Sequence, residues 1–220
     1  MKVLIAIPAY NEEGRISKLL TALKESFSPE DILVIDDGSR DSTYTEALSS
    51  GVRVIKNQLN MGKGESLKRA FRYAVSHGYD AVLTMDADLQ HDPDDIPGFI
   101  EKFREGCDLV IGTRWHELHK MPFLNYISNR LTTMILSLLA GQRLPDTQSG
   151  FRLHSKRVAG MNFTFSRYDF ESEVVFKTAI KGFKICSTPI KTIYGTGESS
   201  IDKVRDTLRF IRLTLKFMWR

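Results

Sequence analysis

The stretch "TMDADLQHDPDDIP" crowds Asp86, Asp88, Asp92, Asp94 and Asp95 directly after "YDAVL", an apolar run that reads as a strand. Like charges at that density repel unless something offsets them. Asp86 and Asp88 lie two apart where the chain leaves the strand, so both carboxylates can turn toward one point. Hard divalent cations such as Mg2+ and Mn2+ take oxygen donors of this kind, with substrate phosphates and waters completing the shell. Gln90 adds a neutral oxygen to the set. Asp92, Asp94 and Asp95 have a plainer reading: they open the next helix, where carboxylates meet the positive end of the helix dipole and Pro93 or Pro97 fits the first turn.

Upstream, Asp36 and Asp37 end another strand in "VIDDGSRDST", with Gly38 for a tight turn and Asp41 or Ser42 as a helix cap. Capping accounts for Asp41 and leaves two strand-end carboxylates; an acidic residue at such a place accepts hydrogen bonds from a ribose. Pro8, Tyr10 and Glu12 on the neighbouring loop "PAYNEEG" can wall a base and sugar. "NMGKGE" carries Lys63 but lacks both the GxxxxGK[ST] phosphate loop and the GxGxxG fingerprint, and taken alone it reads as the start of a helix. Asp146 in "LPDTQSG" can start a turn after Pro145.

The elements that must position these residues follow from periodicity. "KVLIAIP", "DILVID", "VRVIK", "YDAVLTMD" and "CDLVIGTR" are short β-branched runs, separated by helical patterns such as Ile16, Leu19, Leu20, Leu23 and Phe27. Strands alternating with helices predict an α/β fold with a mainly parallel sheet covered on both faces. Its ligand sites belong at the carboxyl ends of the strands, where the polar and acidic loops collect. The second half loses the alternation: a helix-like "FLNYISNRLTTMILSLLAG", a loop "RLPDTQSGFRL", a helix from about residue 169 to 181, a strand "KICSTPIKTIY", a loop "GTGESS" and a final helix.

At 220 residues and 42% hydrophobic, the chain is long enough for one sizeable core and too apolar for disorder. Net charge is +4, and the tail from Asp202 to Arg220 sets six cations against two acids. That excess suits a phosphate-bearing substrate or an anionic surface and does not call for nucleic acid. Cys107 and Cys186 sit in apolar runs without metal-ligand spacing, which predicts two reduced core thiols and a reducing compartment. The apolar start "MKVLIAIP" and the uncharged run of residues 131–142 are both too short to cross a bilayer, so any membrane contact is expected to be peripheral.

Taken together, "IPAYNEE", "VIDDGSRDST", "NMGKGESLKRAF", "MDADLQHDP", "IGTR" and "DTQSGFRL" resemble glycosyltransferase family 2, in its dolichyl-phosphate mannose synthase-like branch. Six motifs in family order span nearly the whole chain. The resemblance implies a GT-A fold, a Rossmann-like sheet binding a nucleotide diphosphate sugar, with a DxD metal motif at Asp86, Ala87 and Asp88. It assigns Pro8, Tyr10, Glu12, Val34, Asp36 and Lys63 to the nucleotide sugar, Asp86, Asp88 and Gln90 to Mg2+ or Mn2+, and Arg114 of "IGTR" to the donor diphosphate or acceptor phosphate. Arg130 and Ser149 go with the acceptor phosphate. Residues 1–220 are expected to form a single domain, with a nucleotide-sugar half (1–115) and an acceptor half (116–220).

The implied reaction is metal-dependent inverting transfer of mannose or glucose, from GDP-mannose or a UDP-hexose, to a polyprenyl phosphate at the inner face of the cell membrane. Asp88 and Arg114 act on the leaving diphosphate; a lipid phosphate is already an oxyanion, so no base is needed. A sugar-hydroxyl acceptor would instead need Asp146 as base, and a silent sugar-nucleotide or lipid-binding module is the reading from another class. The chain departs from the branch at "YGTGESS", where Tyr194 and Ser200 stand in place of an arginine and a lysine and Lys191 or Lys203 are the substitutes. The QxxRW signature of processive synthases is absent. The last helix, amphipathic and basic, reads as core on one face and membrane-interfacial on another, and the apolar helix around Arg130 as a polyprenyl guide. Relatives of this branch append transmembrane helices that this chain does not show, so a separate membrane partner protein is a candidate.

Overall fold

In a computed structural model the described residues are 1–113, 134, 137, 149–166 and 169–191. The chain opens with β1 (Val3–Ala9), α1 (Arg15–Lys24), β2 (Ile32–Asp36), α2 (Thr43–Ser49), β3 (Arg53–Lys56), α3 (Lys63–Ser76), β4 (Ala81–Thr84), α4 (Ile96–Arg104) and β5 (Leu109–Thr113). These are the strands and helices that periodicity predicts. After residue 148 come β6 (Arg152–Ser155), a short α5 (Lys156–Ala159), α6 (Asp169–Ile180) and β7 (Ile185–Pro189).

Seven strands form one sheet in the order β3-β2-β1-β4-β6-β5-β7. All neighbours are parallel except β6, which runs antiparallel to both β4 and β5. The sequence placed "FRL" at the end of a loop; in the structure it begins β6. Only four residues long, with Arg152 and His154 on it, this strand carries no apolar signature, and it belongs to the sheet because neighbours on both sides complete its hydrogen bonds.

Alternation along the strands divides the core into two layers. Ile5, Ile7 and Leu83 meet Ile16, Leu19, Leu20 and Leu23 of α1, Ala47 of α2 and Ile96 and Phe99 of α4. Leu4, Ala6, Leu33 and Ile35 meet Leu67, Ala70, Phe71 and Ala74 of α3, Val158 of α5 and Phe170 and Val174 of α6 on the other face. Each large side chain buried in this way contributes about 1.5–3 kcal/mol relative to exposure.

The expectation of two reduced thiols is corrected. Cys107 and Cys186 form a disulfide, with Cα atoms 6.0 Å apart, that joins a residue two positions before β5 to the parallel strand β7. Seventy-nine residues separate the two in sequence, and only the pairing of β5 with β7, Val110 opposite Cys186, brings them together.

Candidate functional site

The strand order reverses direction between β1 and β4, so a crevice opens outside the carboxyl ends of those two strands. Their ladder ends at the pair Ala6 and Thr84, followed by a last bond from the Met85 N–H to the Ala6 carbonyl at 3.1 Å. Pro8 lies two residues beyond Ala6, still inside β1 and on the side facing β4. Proline has no N–H to give, and here the neighbouring strand has already ended. The sequence had assigned Pro8 to the loop; it is the strand residue at which the crevice begins.

Beyond it the chain turns sharply at Asn11, whose φ of 55° is left-handed. That turn is held from the second strand-end loop: the Glu12 N–H donates to Thr43 Oγ1 (2.7 Å), and the Arg40 N–H to Asn11 Oδ1 (3.0 Å). Asp41, not Ser42, takes the capping role, accepting from the Thr43 N–H at 3.0 Å. Tyr10 stands exposed on the rim. Burial raises the pKa of Glu12; Arg15, 2.7 Å away, opposes that, and the charges of Asp88, Asp86 and Asp41 add to the rise. The Glu12 carboxyl therefore feels both members of the DxD pair across the crevice.

Asp86 and Asp88 leave β4 in the predicted position. The chain turns back at Leu89, with a left-handed φ of 63°, and Asp88 Oδ1 accepts from the Gln90 N–H at 3.0 Å. Asp92 caps the following turn through the Asp94 N–H (3.0 Å), as expected for the start of a helix, whereas the Asp95 side chain makes no cap and accepts instead from the Lys191 N–H (2.8 Å) just after β7. Lys191, one of the residues offered as a phosphate contact, has its ammonium 3.8 Å from Asp92.

Lys63, the first residue of α3, points its ammonium at Asp86 Oδ1 (2.6 Å) and Glu171 Oε1 (2.9 Å). Burial alone would lower the Lys63 pKa; the two carboxylates reverse that and hold it above the ordinary lysine range. Burial likewise pushes Asp86 up, and Lys63, then His91, overcome it and hold Asp86 below the carboxylate range. Because β6 is antiparallel, its start reaches the rim where β4 ends: a Cβ on Gly150 would collide with the Asp86 carboxylate and lie 2.8 Å from Lys63 Nζ. Ser149 is buried beside it, its hydroxyl accepting from the Phe151 N–H at 3.3 Å. The fully buried Arg152 donates to the Ser149 carbonyl (2.7 Å) and the Glu171 carbonyl (2.8 Å).

Asp36 and Asp37 separate in role. Asp36 was assigned to the nucleotide sugar and Asp37 given no separate role; Asp37 organises the loop to α3, accepting from Asn57 Nδ2 (2.6 Å) and the N–H groups of Met61 (3.0 Å) and Gly62 (2.8 Å). Asp36 accepts from the Ser39 N–H (3.2 Å) through one oxygen, while its other oxygen is buried without a partner among the described residues. Val34 is fully buried in β2, and Ala87 is buried between the two aspartates. Gly150, Arg152 and Glu171 were not singled out from sequence, since nothing local in "SGFR" or "DFESE" indicates which distant groups they meet. Arg114, Arg130, Asp146, Tyr194, Ser200, Lys203, the apolar helix around Arg130 and the final amphipathic helix lie outside the described residues.

Among the described residues no three His, Cys, Asp or Glu side chains converge as a complete cation cage. Asp86, Asp88 and the amide oxygen of Gln90 are hard donors in a region negative enough to add to the rise in the pKa of Glu12. That donor set fits a divalent ion whose shell substrate phosphates and water complete.

Comparison with known proteins places this crevice in context. Residues 4–161 match the model of the family described as glycosyl transferase family 2. The UDP-N-acetylglucosamine–dolichyl-phosphate N-acetylglucosaminyltransferase of Methanococcus voltae is 31% identical over 216 residues, 87% of this chain and 86% of its own. The undecaprenyl-phosphate mannosyltransferase of Micrococcus luteus is 31% identical over 202 residues, 86% of this chain and 83% of its own. Among solved structures, glucosyl-3-phosphoglycerate synthase of Mycobacterium tuberculosis with phosphoglyceric acid gives a TM-score of 0.77 at 20% identity, over 98% of this chain and 79% of that one. A second crystal of that enzyme, with Mn2+, UDP-glucose and phosphoglyceric acid, gives 0.74 at 19% identity over the same shares. The likeness to these two crystals establishes the shared GT-A-type α/β fold.

Proposed function

The chain belongs to glycosyltransferase family 2, and from that premise we propose that it transfers a sugar from a nucleotide diphosphate to a polyprenyl phosphate, with a divalent metal, at the cytoplasmic face of the cell membrane. The observation that carries this reading is the meeting of Glu12, Asp86, Asp88 and Lys63 at the β1–β4 crevice. Relatives named for dolichyl-phosphate and undecaprenyl-phosphate substrates support the acceptor class. Mannose on GDP and glucose on UDP are the donors inferred from sequence, and the Methanococcus relative adds UDP-N-acetylglucosamine to those worth testing.

Each residue has a task in this mechanism. Pro8 and Tyr10 wall the nucleoside, and the unpartnered oxygen of Asp36 supplies an acceptor for it. Asp86 and Asp88, with Gln90, would hold Mg2+ or Mn2+, which when bound offsets the charge that develops on the departing diphosphate. Lys63 keeps Asp86 ionised and adds a fixed positive charge to the same rim. Arg114 and Arg130 are assigned to the donor and acceptor phosphates, with Ser149 backing the latter. Attack comes from the lipid phosphate oxygen, already anionic, on the anomeric carbon opposite the leaving diphosphate; the C–O bond to that diphosphate breaks as the new one forms, and no proton has to be removed.

Mass spectrometry of lipid products tests the proposal, after incubating the purified chain with polyprenyl phosphate, Mn2+ or Mg2+, and GDP-mannose, UDP-glucose or UDP-N-acetylglucosamine separately. A metal-dependent glycosyl-phosphoprenol that disappears in Asp88→Asn is expected. Metal-dependent nucleotide binding with no lipid product from any donor would overturn the acceptor assignment. A glycan hydroxyl would then be the acceptor, and Asp146→Asn should abolish turnover with donor binding retained.

A further inference from the structure

We infer that Glu171 is a positioning residue: it fixes where the Lys63 ammonium sits and so sets how strongly Lys63 competes with a divalent cation for Asp86. This rests on the metal reading proposed above. Lys63 is the bridge between two carboxylates of different duty, one in the DxD pair and one on the second half of the chain, at 2.6 and 2.9 Å. All three side chains are largely buried, with exposures of 20% for Lys63, 27% for Asp86 and 15% for Glu171. At such depth the ammonium cannot swing into water without losing both partners, so its charge is divided between them.

The frame around the bridge is rigid at both ends. Asp37 grips the backbone of Met61 and Gly62 just before Lys63, and the Glu65 N–H donates to the Ser166 carbonyl (3.1 Å), tying the first turn of α3 to the segment before α6. Arg152 holds the Glu171 carbonyl and the Ser149 carbonyl together. Gly150 closes over Asp86 and Lys63 with no room for a Cβ. Where the ammonium sits relative to Asp86 therefore depends on Glu171, which holds its other side. If Glu171 is neutral, its negative charge no longer offsets the ammonium beside Asp86, and the unbalanced positive charge opposes a second cation. If Lys63 is removed, the opposition disappears and three carboxylates remain.

The two partners of this ion pair thus have opposite effects on the metal. A role confined to stability would not give that pattern, because breaking a buried pair from either side destabilises. The test is Mn2+ titration of the full-length chain, followed by the electron paramagnetic resonance signal of the free ion, alone and with UDP or GDP, with thermal midpoints measured alongside. Glu171→Gln is expected to weaken Mn2+ binding about tenfold, the scale of one nearby charge under protein-like screening. Glu171→Asp, which keeps the charge, should restore most of the affinity, and Lys63→Met should tighten Mn2+ alone by several-fold on the same grounds.

Unchanged Mn2+ affinity in Glu171→Gln, with binding present in the unaltered chain and lost in Asp88→Asn, overturns the inference and leaves the metal reading standing. Shifts of the same sign in Glu171→Gln and Lys63→Met overturn it as well. Should Glu171→Gln fail to fold, the Lys63→Met shift decides, and weaker binding there counts against it. Absence of Mn2+ uptake by the unaltered chain, with or without nucleotide, overturns the metal reading and this inference with it.

Discussion

Gly150 shows how little room the DxD carboxylates have. A methyl group there would displace Asp86 and Lys63 together, and misplacement of a reacting constellation by about 1 Å costs on the order of 100-fold in rate. Gly150→Ala is accordingly expected to lower kcat/KM of the proposed transfer about 100-fold, while Gly160→Ala, at the end of α5 and remote from Asp86, serves as a control; equal rates in the two variants would contradict the crowding argument. Asp86 and Asp88 were legible in the sequence because their message is local: two carboxylates, two residues apart, at the end of an apolar run. Glu171 was not, since its meaning lies in Lys63, more than a hundred positions away. The role of Asp37 was hidden for the same reason, as the N–H groups it accepts from belong to the far end of the next βα connection.

Among the elements, β6 does the most to join the two halves, and it does so with polar residues. His154 is buried with Nε2 3.4 Å from Thr84 Oγ1 and its ring 4.8 Å from that of Phe71. Burial, and then Arg152, lower its pKa well below the ordinary histidine value. The folded chain thus binds fewer protons here than the unfolded chain, so the stability that neutral His154 contributes is complete above about pH 6.5 and is lost as pH falls, by up to about 1.4 kcal/mol per unit. Denaturant unfolding of His154→Leu should show a shallower acid loss between about pH 7 and pH 5 than the unaltered chain; superimposable slopes would refute it. Glu173 on α6 is a second buried anchor, accepting from the N–H groups of Thr164 (3.0 Å) and Phe165 (2.9 Å) and from Lys177 Nζ (2.7 Å). Glu173→Ala leaves two backbone donors without their partner and should cost about 2–4 kcal/mol, read as a lower denaturant midpoint. Elements of strong period, β1 to β5 and α1, α3 and α4, were legible; β6 was hidden because its burial comes from its neighbours rather than from its composition.

On the scale of the whole molecule, strands from both sides of residue 115 share one sheet, and segments from both sides meet on one rim because β6 runs against its neighbours. Among the described residues the far edge of that sheet is β7, paired only with β5, and the Cys107–Cys186 disulfide fastens it there. Sequence reasoning set the cysteines apart because neither their spacing nor their apolar surroundings distinguishes a core thiol from half of a disulfide; the parallel register decides. A link across so many residues restricts the unfolded chain and contributes about 2–4 kcal/mol. Cys107 is only 1% exposed, whereas Cys186 on the edge strand is half-buried, so reagents approach the pair from the Cys186 side. The chain contains two cysteines, which makes the count unambiguous: protein unfolded in guanidinium without reductant should yield no titratable thiol, and after reduction both. Cys107→Ala with Cys186→Ala should unfold at lower denaturant by the same 2–4 kcal/mol while keeping nucleotide binding, because the crevice lies at β1 and β4, three strands from the edge. Two free thiols in the unreduced sample would refute the pairing, and loss of nucleotide binding in the double variant would show that the edge and the crevice are not independent.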